Sequence, residues 1–182
     1  TEVNNLNTAR RYSGHFGIQT AAVICAGETG VVAVTEEYNG TSWSNGNDVN
    51  TAKGHIGGAG ILTAGLKCGG SPTTAATEEY DGTNWTVSPA TSSTGNSRTF
   101  TGTQTAGLAV AGGSASTASE LWNGTSFSAD AVLSTGRSAH MASTNATQAA
   151  NYVCGGNNPG GKLTATEEYT GVADESRGFD VS

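Results

Sequence analysis

Charged side chains are scarce in this sequence. They make up 13% of its 182 residues, with 8 lysines and arginines against 15 aspartates and glutamates. Phosphate recognition needs clustered Lys and Arg, so a formal net charge of −7 argues against a nucleic-acid platform. Apolar runs are short, and none approaches the ~18–20 residues of a membrane-spanning helix. The sequence therefore predicts no nucleic-acid partner and no membrane span.

Strong helix formers, prolines and aromatic residues are also few. The chain holds 3 prolines, 1 methionine and 7% aromatic residues, whereas glycine alone occurs 27 times. This composition argues against a helical bundle or a coiled coil. The length suits one compact domain. Composition alone would equally suit a disordered linker, so the order of the residues has to decide between the two.

That order contains an internal repeat of about 42 residues. Residues 35–43 (TEEYNGTSW) and 77–85 (TEEYDGTNW) are near copies, 119–127 (SELWNGTSF) is a third copy, and 166–171 (TEEYTG) begins a fourth. The aromatic residue of the four copies stands at positions 38, 80, 122 and 169, so the steps are 42, 42 and 47. Such a period is the signature of a repeat architecture.

Two further positions recur with the same period, and we call each recurring position a station. One station is a pair of small residues: Ala26-Gly27, Gly69-Gly70, Gly112-Gly113 and Gly155-Gly156. The other is a basic residue: Arg10, Lys53, Arg137, and in the third copy Asn96 or the nearby Arg98. Several stations that share one period indicate four copies of a single structural unit.

Each unit has the pattern of about four short antiparallel strands. Residues 20–25 and their copies are small apolar runs that end at a small residue, which is typical of a buried strand. Asn39-Gly40 and Asp81-Gly82 predict two-residue type I′ hairpin turns, because these residues tolerate positive φ angles. Four short strands in about 42 residues correspond to one blade of a β-propeller. The sequence therefore predicts an all-β fold.

The order of stations within a unit resembles the kelch repeat, in which a Gly-Gly pair is followed by a Tyr and then a Trp. The residues that carry the resemblance are Arg10/Gly27/Tyr38/Trp43, Lys53/Gly69-Gly70/Tyr80/Trp85, Gly112-Gly113/Trp122/Phe127 and Arg137/Gly155-Gly156/Tyr169. The wording of the units is also similar to kelch-like structural proteins of tailed phages, marine cyanophages especially. The third unit departs from the pattern in having Trp122 and Phe127, and the fourth has only Phe179 as a candidate for the Trp.

The resemblance implies a single propeller domain over residues 1–182. Its four four-stranded blades would span residues 8–48, 51–90, 94–132 and 135–182. A closed four-bladed ring would lie at the lower limit of the ~4–8 blades that propellers have. The alternative is an open array that another subunit completes, because an unclosed array leaves sheet surfaces without a partner. The start at Thr1 is also compatible with a fragment or a processed product.

We expect the repeat stations to have structural roles. Glutamate stands two residues before each aromatic station and could be an acid/base group or a calcium ligand, but pairing with the basic station is favoured because a charge on that face needs a partner. The aromatic residues could stack on carbohydrate, but their recurrence favours packing between blades. The expected structural positions are Glu36, Tyr38, Gly40, Trp43, Gly69, Gly70, Glu78, Tyr80, Gly82, Trp85, Gly112, Gly113, Glu120, Trp122, Gly155, Gly156, Glu167 and Tyr169.

The cysteines and histidines suggest little catalytic or metal chemistry. Cys25, Cys68 and Cys154 share one station, with Ala111 in the third unit, and are expected to be buried thiols. Three histidines, His15, His55 and His140, fall where the innermost strands are expected, so a metal on the axis is an alternative to packing. The sequence predicts no catalytic residue, no metal and no cofactor, and it leaves the binding residues unknown.

These observations favour a protein without enzymatic activity. Because of the phage resemblance, we expect a virion structural or appendage protein that mediates assembly contacts or attachment to a host-surface glycan or protein. Its expected partners are other virion or surface proteins, possible host glycans, and further copies of itself. One alternative is a secreted or surface-displayed bacterial kelch-like module for adhesion or scaffolding. The other is a propeller enzyme that acts on sugars, and fold alone decides none of these.

Overall fold

The prediction of an all-β fold is confirmed by the structure, a computed structural model. It describes residues 4–113, 115–143, 148, 150–171 and 177–181, and for 171 and 177–181 only the backbone. Within these residues there are β-strands and no helices. Sixteen of the strands form four antiparallel four-stranded sheets, and the remaining two form a small hairpin.

The first three blades are simple antiparallel meanders in which each strand pairs with the next. Blade 1 consists of β1 (Gly14–Ile18), β2 (Ala21–Cys25), β3 (Thr35–Tyr38) and β4 (Trp43–Asn45). Blade 2 consists of β5 (Gly57–Ile61), β6 (Ala64–Cys68), β7 (Thr77–Tyr80) and β8 (Trp85–Ser88). Blade 3 consists of β9 (Thr99–Gly102), β10 (Gly107–Val110), β11 (Ser119–Trp122) and β12 (Phe127–Ala129).

Blade 4 has an insertion between its second and third strands. It consists of β13 (Met141–Ala142), β14 (Ala150–Cys154), β17 (Thr166–Gly171) and β18 (Arg177–Val181). The inserted hairpin is formed by β15 (Asn157–Asn158) and β16 (Gly161–Lys162). Phe179 pairs with Tyr169 in the same register in which Trp85 pairs with Tyr80. It therefore occupies the backbone position of the missing Trp, although the loop before it is longer.

The hairpin between the third and fourth strands differs from the predicted type I′ turn. Tyr38 pairs with Trp43, so the loop has four residues, and within it only Gly40 has a positive φ, of 91°. The Asn39 side chain accepts hydrogen bonds from the Thr41 and Ser42 amides, both at 2.9 Å. Asn or Asp is therefore needed here for its side-chain oxygen rather than for a positive φ.

The Asx arrangement recurs in the next two blades. Asp81 accepts from the Thr83 and Asn84 amides at 2.8 and 2.7 Å, and Asn123 accepts from the two amides at the corresponding positions at 2.9 and 2.8 Å. Gly82 again has a positive φ, of 93°. Three copies of the same local chemistry explain why this part of the repeat is the most alike in sequence.

The small pair of the third unit begins one residue earlier than the sequence suggested. The amides of Ala26, Gly69, Ala111 and Gly155 make the same hydrogen bond to the residue before the third strand, and all four residues have positive φ. The pair is therefore Ala111-Gly112, with Gly113 following it. The cysteine station of this unit is Val110 and not Ala111, because Val110 pairs across the sheet as Cys25 and Cys68 do.

Successive blades pack face to face and bury three apolar clusters. We call the face toward the preceding blade in the chain the front face and the opposite one the rear face. Each cluster joins the rear face of one blade to the front face of the next. The clusters contain Phe16, Val23, Cys25, Ile56, Tyr80 and Trp85; Ala59, Leu66, Cys68, Phe100, Ala109 and Trp122; and Leu108, Val110, Leu121, Ala142, Val153 and Tyr169.

The array of blades is open. The first strands of the blades are neighbours in the order β1–β5–β9–β13, as in the inner ring of a propeller. Within the part of the chain that the structure describes, β13 does not pack against β1. The fold is therefore propeller-like without ring closure, and the front face of blade 1 and the rear face of blade 4 lack a neighbouring blade.

The Phe16 ring and Gly65 fill the first interface together. A Cβ atom on Gly65 would lie 2.1 Å from the ring, so we expect Gly65→Ala to lower the free energy of unfolding by about 1–3 kcal/mol. In a Phe16→Ala background the same change should cost less than about 0.5 kcal/mol, because the ring is gone. Urea unfolding measures both values. Gly160→Ala, in the exposed hairpin, is the control, and an equal cost of Gly65→Ala in both backgrounds would contradict the packing.

Candidate functional site

The acidic residues of the Glu stations are the most chemically notable side chains, and all four are buried. Glu36, Glu78, Glu120 and Glu167 are each at most 1% exposed. Each lies on the strand that carries the aromatic station, two residues before it and on the same face. A carboxylate so far from water needs a cation and hydrogen-bond donors to remain charged.

Every one of these carboxylates has a buried cation. Arg10 pairs with Glu36 and Arg137 with Glu167. Arg98 donates to Glu120 at 3.0 Å. The guanidinium groups also reach backbone carbonyls: the Arg137 Nη1 lies 2.9 Å from the Ala165 oxygen. Each pair therefore holds parts of its blade together and does not present a charge to a ligand.

The second blade contradicts one expectation about these pairs. Lys53, at the basic station, was expected to face Glu78, but its Nζ donates to the Pro72 carbonyl at 3.2 Å. The cation beside Glu78 is Lys67, whose Nζ lies 2.8 Å from Oε1. Lys67 is the direct cross-strand partner of Glu78, so the two side chains start on the same face of the sheet and close to each other.

The carboxylates also hold the segments that enter each blade. Glu36 accepts from the Asn7 and Thr8 amides at 2.6 and 3.0 Å, and Glu78 accepts from the Asn50 and Thr51 amides at 2.7 and 3.0 Å. The Ser92 amide donates to Glu120 at 2.6 Å and the Ser134 amide donates to Glu167 at 2.7 Å. The donors recur every 42 or 43 residues, so the same anchor fixes the entry to every blade.

The surroundings of Glu78 and Glu120 favour the ionised form of these two carboxylates. Burial alone would raise the pKa of Glu78, but the hydrogen bond and charge of Lys67 and the Asn50 amide hold that pKa below its ordinary value of 4.5. Burial would also raise the pKa of Glu120, but the hydrogen bonds from the Ser92 amide and Arg98 hold that pKa below its ordinary value. Neither group has the raised pKa that a general acid near neutral pH requires.

The aromatic stations supply hydrogen bonds between blades as well as packing. The Tyr80 hydroxyl donates to Glu37 of blade 1, and the Trp85 indole donates to the Thr35 hydroxyl at 2.9 Å. The Tyr169 hydroxyl donates in the same way to Asp130 of blade 3. Trp122 packs against Phe127 with ring centroids 4.6 Å apart and ring planes tilted by 40°. These rings lie within interfaces, and none of them forms a carbohydrate platform at the surface.

The first aromatic station differs from the others. Tyr38 and Trp43 pack on each other, with ring centroids 5.0 Å apart, on the front face of blade 1. Because the array is open, no blade covers this face. Trp43 is only half-buried, whereas Trp85 is 7% exposed.

Two of the three cysteines are the buried thiols that the sequence predicts, and Cys154 is not. Cys25 and Cys68 are buried within two interfaces, and Cys154 is half-buried on the rear face of blade 4. Burial raises the pKa of the Cys25 thiol to about 12 and that of Cys68 to about 11. Thiolate chemistry needs the opposite shift.

Only one histidine lies where it was expected. His15 is in β1, but His55 precedes β5 by two residues and His140 directly precedes β13. The backbone at His55 has a φ of 55°, which stops the strand from starting there. The His140 ring accepts or donates at 2.9 Å to the Thr99 hydroxyl of blade 3. The structure therefore does not bring the three rings together on an inner strand.

The structure contains a surface cluster at one end of the inner strands that the sequence does not predict. The Tyr12 ring, half exposed, stacks on His55 with ring centroids 3.9 Å apart. Glu28 lies 3.4 Å from the His55 Nε2 and 3.7 Å from the Arg11 Nε. The Ser97 hydroxyl lies 3.3 Å from the His55 Nδ1. We call these five residues the axial cluster.

The axial cluster contains a Ser–His–Glu series but not the arrangement of an acyl-transfer site. The contacts of Ser97 and Glu28 with the imidazole are long, at 3.3 and 3.4 Å. The Ser97 amide, which an oxyanion hole of the usual kind would use, donates to the His55 carbonyl at 2.9 Å. The His55 amide donates in turn to the Tyr12 carbonyl at 2.7 Å. The cluster is thus a hydrogen-bonded link between the first three blades, with an exposed aromatic ring at its end.

One signal in the sequence could have identified the cation beside Glu78. Lys67 is the only charged residue in the apolar second strands, at the position that Ile24, Ala109 and Val153 hold in the other units. Aligning the copies would therefore have identified it. The axial cluster had no such signal, because the residues that take positive φ there are Tyr12, His55, Ser97 and Ala139 and not glycines.

We predict that Lys67→Met lowers the free energy of unfolding by about 3–5 kcal/mol, because it leaves the Glu78 carboxylate buried without a cation. Lys53→Met, the control at the basic station, should change it by less than about 0.5 kcal/mol. Urea unfolding at pH 7 measures both. A larger effect at Lys53 than at Lys67 would contradict the pairing.

His140 should make stability depend on pH. Burial, with the Arg137 charge, lowers the pKa of His140 from 6.5 to about 4, so the folded state holds it neutral. The free energy of unfolding therefore has its full value above pH 6.5 and decreases as the pH falls toward 4. The expected decrease between pH 7 and 4.5 is about 2 kcal/mol. His140→Gln should show a much smaller loss over that range in urea unfolding. An equal slope in both proteins would contradict the assignment.

Among the residues that the structure describes, no group of three or more His, Cys, Asp or Glu side chains is placed to hold a metal ion. The same residues include no helix long and apolar enough to cross a membrane. Comparison with protein-family models and with curated proteins gives no match. The function must therefore be argued from the geometry of the blades.

Proposed function

We propose that this chain is a structural protein without enzymatic activity, in a virion or a virion appendage, that works through assembly contacts or attachment to a host surface. The observation that supports this most is the use made of the repeated polar side chains. The four station glutamates and their cations bind each other inside the blades and are not exposed to a ligand. Chemistry repeated in every blade serves a scaffold better than it serves one asymmetric active site.

The resemblance of the units to kelch repeats, and to phage proteins built from them, supports the virion assignment within this proposal. Propeller scaffolds bind through the loops at their ends and through exposed surfaces. Here the axial cluster offers an exposed aromatic ring beside Arg11 and Glu28, a combination suited to a sugar ring and its hydroxyl groups. The cluster is the proposed attachment surface for a host glycan.

The virion assignment is tested on particles of the source phage. We expect mass spectrometry of density-gradient-purified particles to detect the chain at a constant ratio to the capsid protein, and immunogold labelling to localise it. A chain found only in the soluble fraction of lysed host cells, and absent from particles, would contradict the proposal. Recovery from the medium of uninfected bacteria would instead support the bacterial adhesion module.

The attachment surface is tested separately by glycan array. We expect the wild-type protein to bind at least one class of surface glycan, and Tyr12→Ala to weaken that binding at least tenfold without changing the melting temperature, because the ring is half exposed. Val87→Ala, an exposed residue of the outer strand β8, is the matched control. Unchanged binding by Tyr12→Ala would exclude the axial cluster as the glycan site.

A further inference from the structure

The rear face of blade 4 has the residues of an interface but no neighbour. Tyr152 pairs with Glu168 in the same register in which Val23 pairs with Glu37, so Tyr152 is equivalent to Val23. Tyr152 is 46% exposed, whereas Val23 is 1% exposed. Met141, in the place of Gly14 and Gly57, is 72% exposed on the inner strand.

The front face of blade 1 is the complementary case. Ile24 is only half-buried, although Ala109 and Val153, its equivalents, are at most 1% exposed. Within the described part of the chain, no hydrogen-bond partner is present for the Tyr38 hydroxyl, the Trp43 indole N–H or the Gln19 side-chain amide. Each of these donors has an equivalent in a later blade that does have a partner.

The later blades show which partners these donors use. The Tyr80 hydroxyl donates to Glu37 and the Trp85 indole to Thr35, both of the preceding blade. The Gln104 amide donates to the Gly65 carbonyl of the preceding blade at 3.2 Å. Gln148 repeats this contact on the next blade, with 3.3 Å to the Gly107 carbonyl. The Tyr and Trp contacts occur in the first interface, and the Gln contact occurs in the other two. Together they define the acceptors that a rear face can supply: a carboxylate, a hydroxyl and a backbone carbonyl.

Blade 4 carries this set of acceptors. Glu168 is equivalent to Glu37 and is exposed, and Thr166 is equivalent to Thr35 and is half-buried, although Thr35 is fully buried. Asn151 supplies the carbonyl at the position of Gly65 and Gly107, because all three pair with the aromatic station. The chain therefore holds both halves of one more interface, on opposite ends of the array.

We propose that the front face of blade 1 docks on the rear face of blade 4 of a second copy of this chain. In this contact Tyr38 donates to Glu168, Trp43 to Thr166 and Gln19 to the Asn151 carbonyl, and Tyr152 and Met141 are covered. The contact is heterologous, and two copies that satisfy it reciprocally close a ring of eight blades, within the usual range of ~4–8. The proposal names a partner for the assembly part of the proposed function and does not depend on the glycan site.

A second copy is favoured over another occupant for two reasons. Three interfaces of this design exist within the chain, so the contact continues an established mode of packing. The donors and acceptors match position by position, with a carboxylate opposite the tyrosine as in the first interface. Closure of the chain on itself would use the same residues, but the described part of the chain is open.

The first test is the mass of the full-length protein by light scattering at micromolar concentration. We expect about 36 kDa, twice the 18.2 kDa of one chain. A mass of one chain over the whole range of concentrations would overturn the proposal. A mass that rises without limit with concentration would overturn the closed ring, because it indicates a filament built from the same contact.

The second test distinguishes a heterologous contact from a symmetric one. Ala22→Lys blocks the front face of blade 1 and Tyr152→Lys blocks the rear face of blade 4; each should weaken self-association at least tenfold. An equimolar mixture of the two variants should form a 1:1 dimer, because each keeps the face that the other lacks. Val87→Lys, an exposed apolar residue of blade 2, is the control and should remain dimeric.

The remaining outcomes are decisive as well. Circular dichroism checks that the variants fold, and Glu168→Lys gives a second rear-face variant at an exposed position. If either blocked variant still forms dimers alone, or if the mixture stays monomeric, the proposed interface is wrong. A wild-type protein that is monomeric in solution but is found in particles would overturn only this inference, whereas a wild-type dimer that is absent from particles would overturn only the proposed function.

Discussion

The structure depends on a carboxylate that is buried at the same place in every blade. Such a group is stable only if a cation and several N–H donors surround it, and each blade supplies both. The amide donors come from the segment that enters the blade, so the ionic contact also fixes where the inner strand starts. Removal of either partner would leave the other buried and unpaired, so each blade depends on both.

The position of the charge is constrained more strongly than the residue that balances it. Arg10 and Arg137 reach their carboxylates from the entering segment, Arg98 from just before the inner strand, and Lys67 from the second strand. The acceptors of the tyrosine hydroxyls vary in the same way. Tyr80 donates to Glu37 in the third strand of blade 1, whereas Tyr169 donates to Asp130, which follows the fourth strand of blade 3. A repeat can therefore diverge in sequence while each blade keeps the same electrostatic contacts.

The sequence predicted the fold well because its strongest signals are local and repeated. Strand content, four units and the hairpins follow from alternation and from Asn/Asp-Gly, although the turn type was wrong because Asn39 acts through its side chain. The partner of Glu78 and the axial cluster could not be derived from spacing. Cross-strand register decides the first, and backbone torsions at Tyr12 and His55 decide the second. Ring closure is a property of curvature accumulated over all blades, which no single unit encodes.

Hydrogen exchange at the anchoring amides measures whether the buried carboxylates hold the blades in place. We expect the amides of Asn7, Asn50 and Ser92, although they lie outside strands, to exchange as slowly as the neighbouring strand amides at pH 7. Exchange at the rate of an exposed loop, with the strands still protected, would contradict it. In that case the carboxylates would be buried without holding the blades in place.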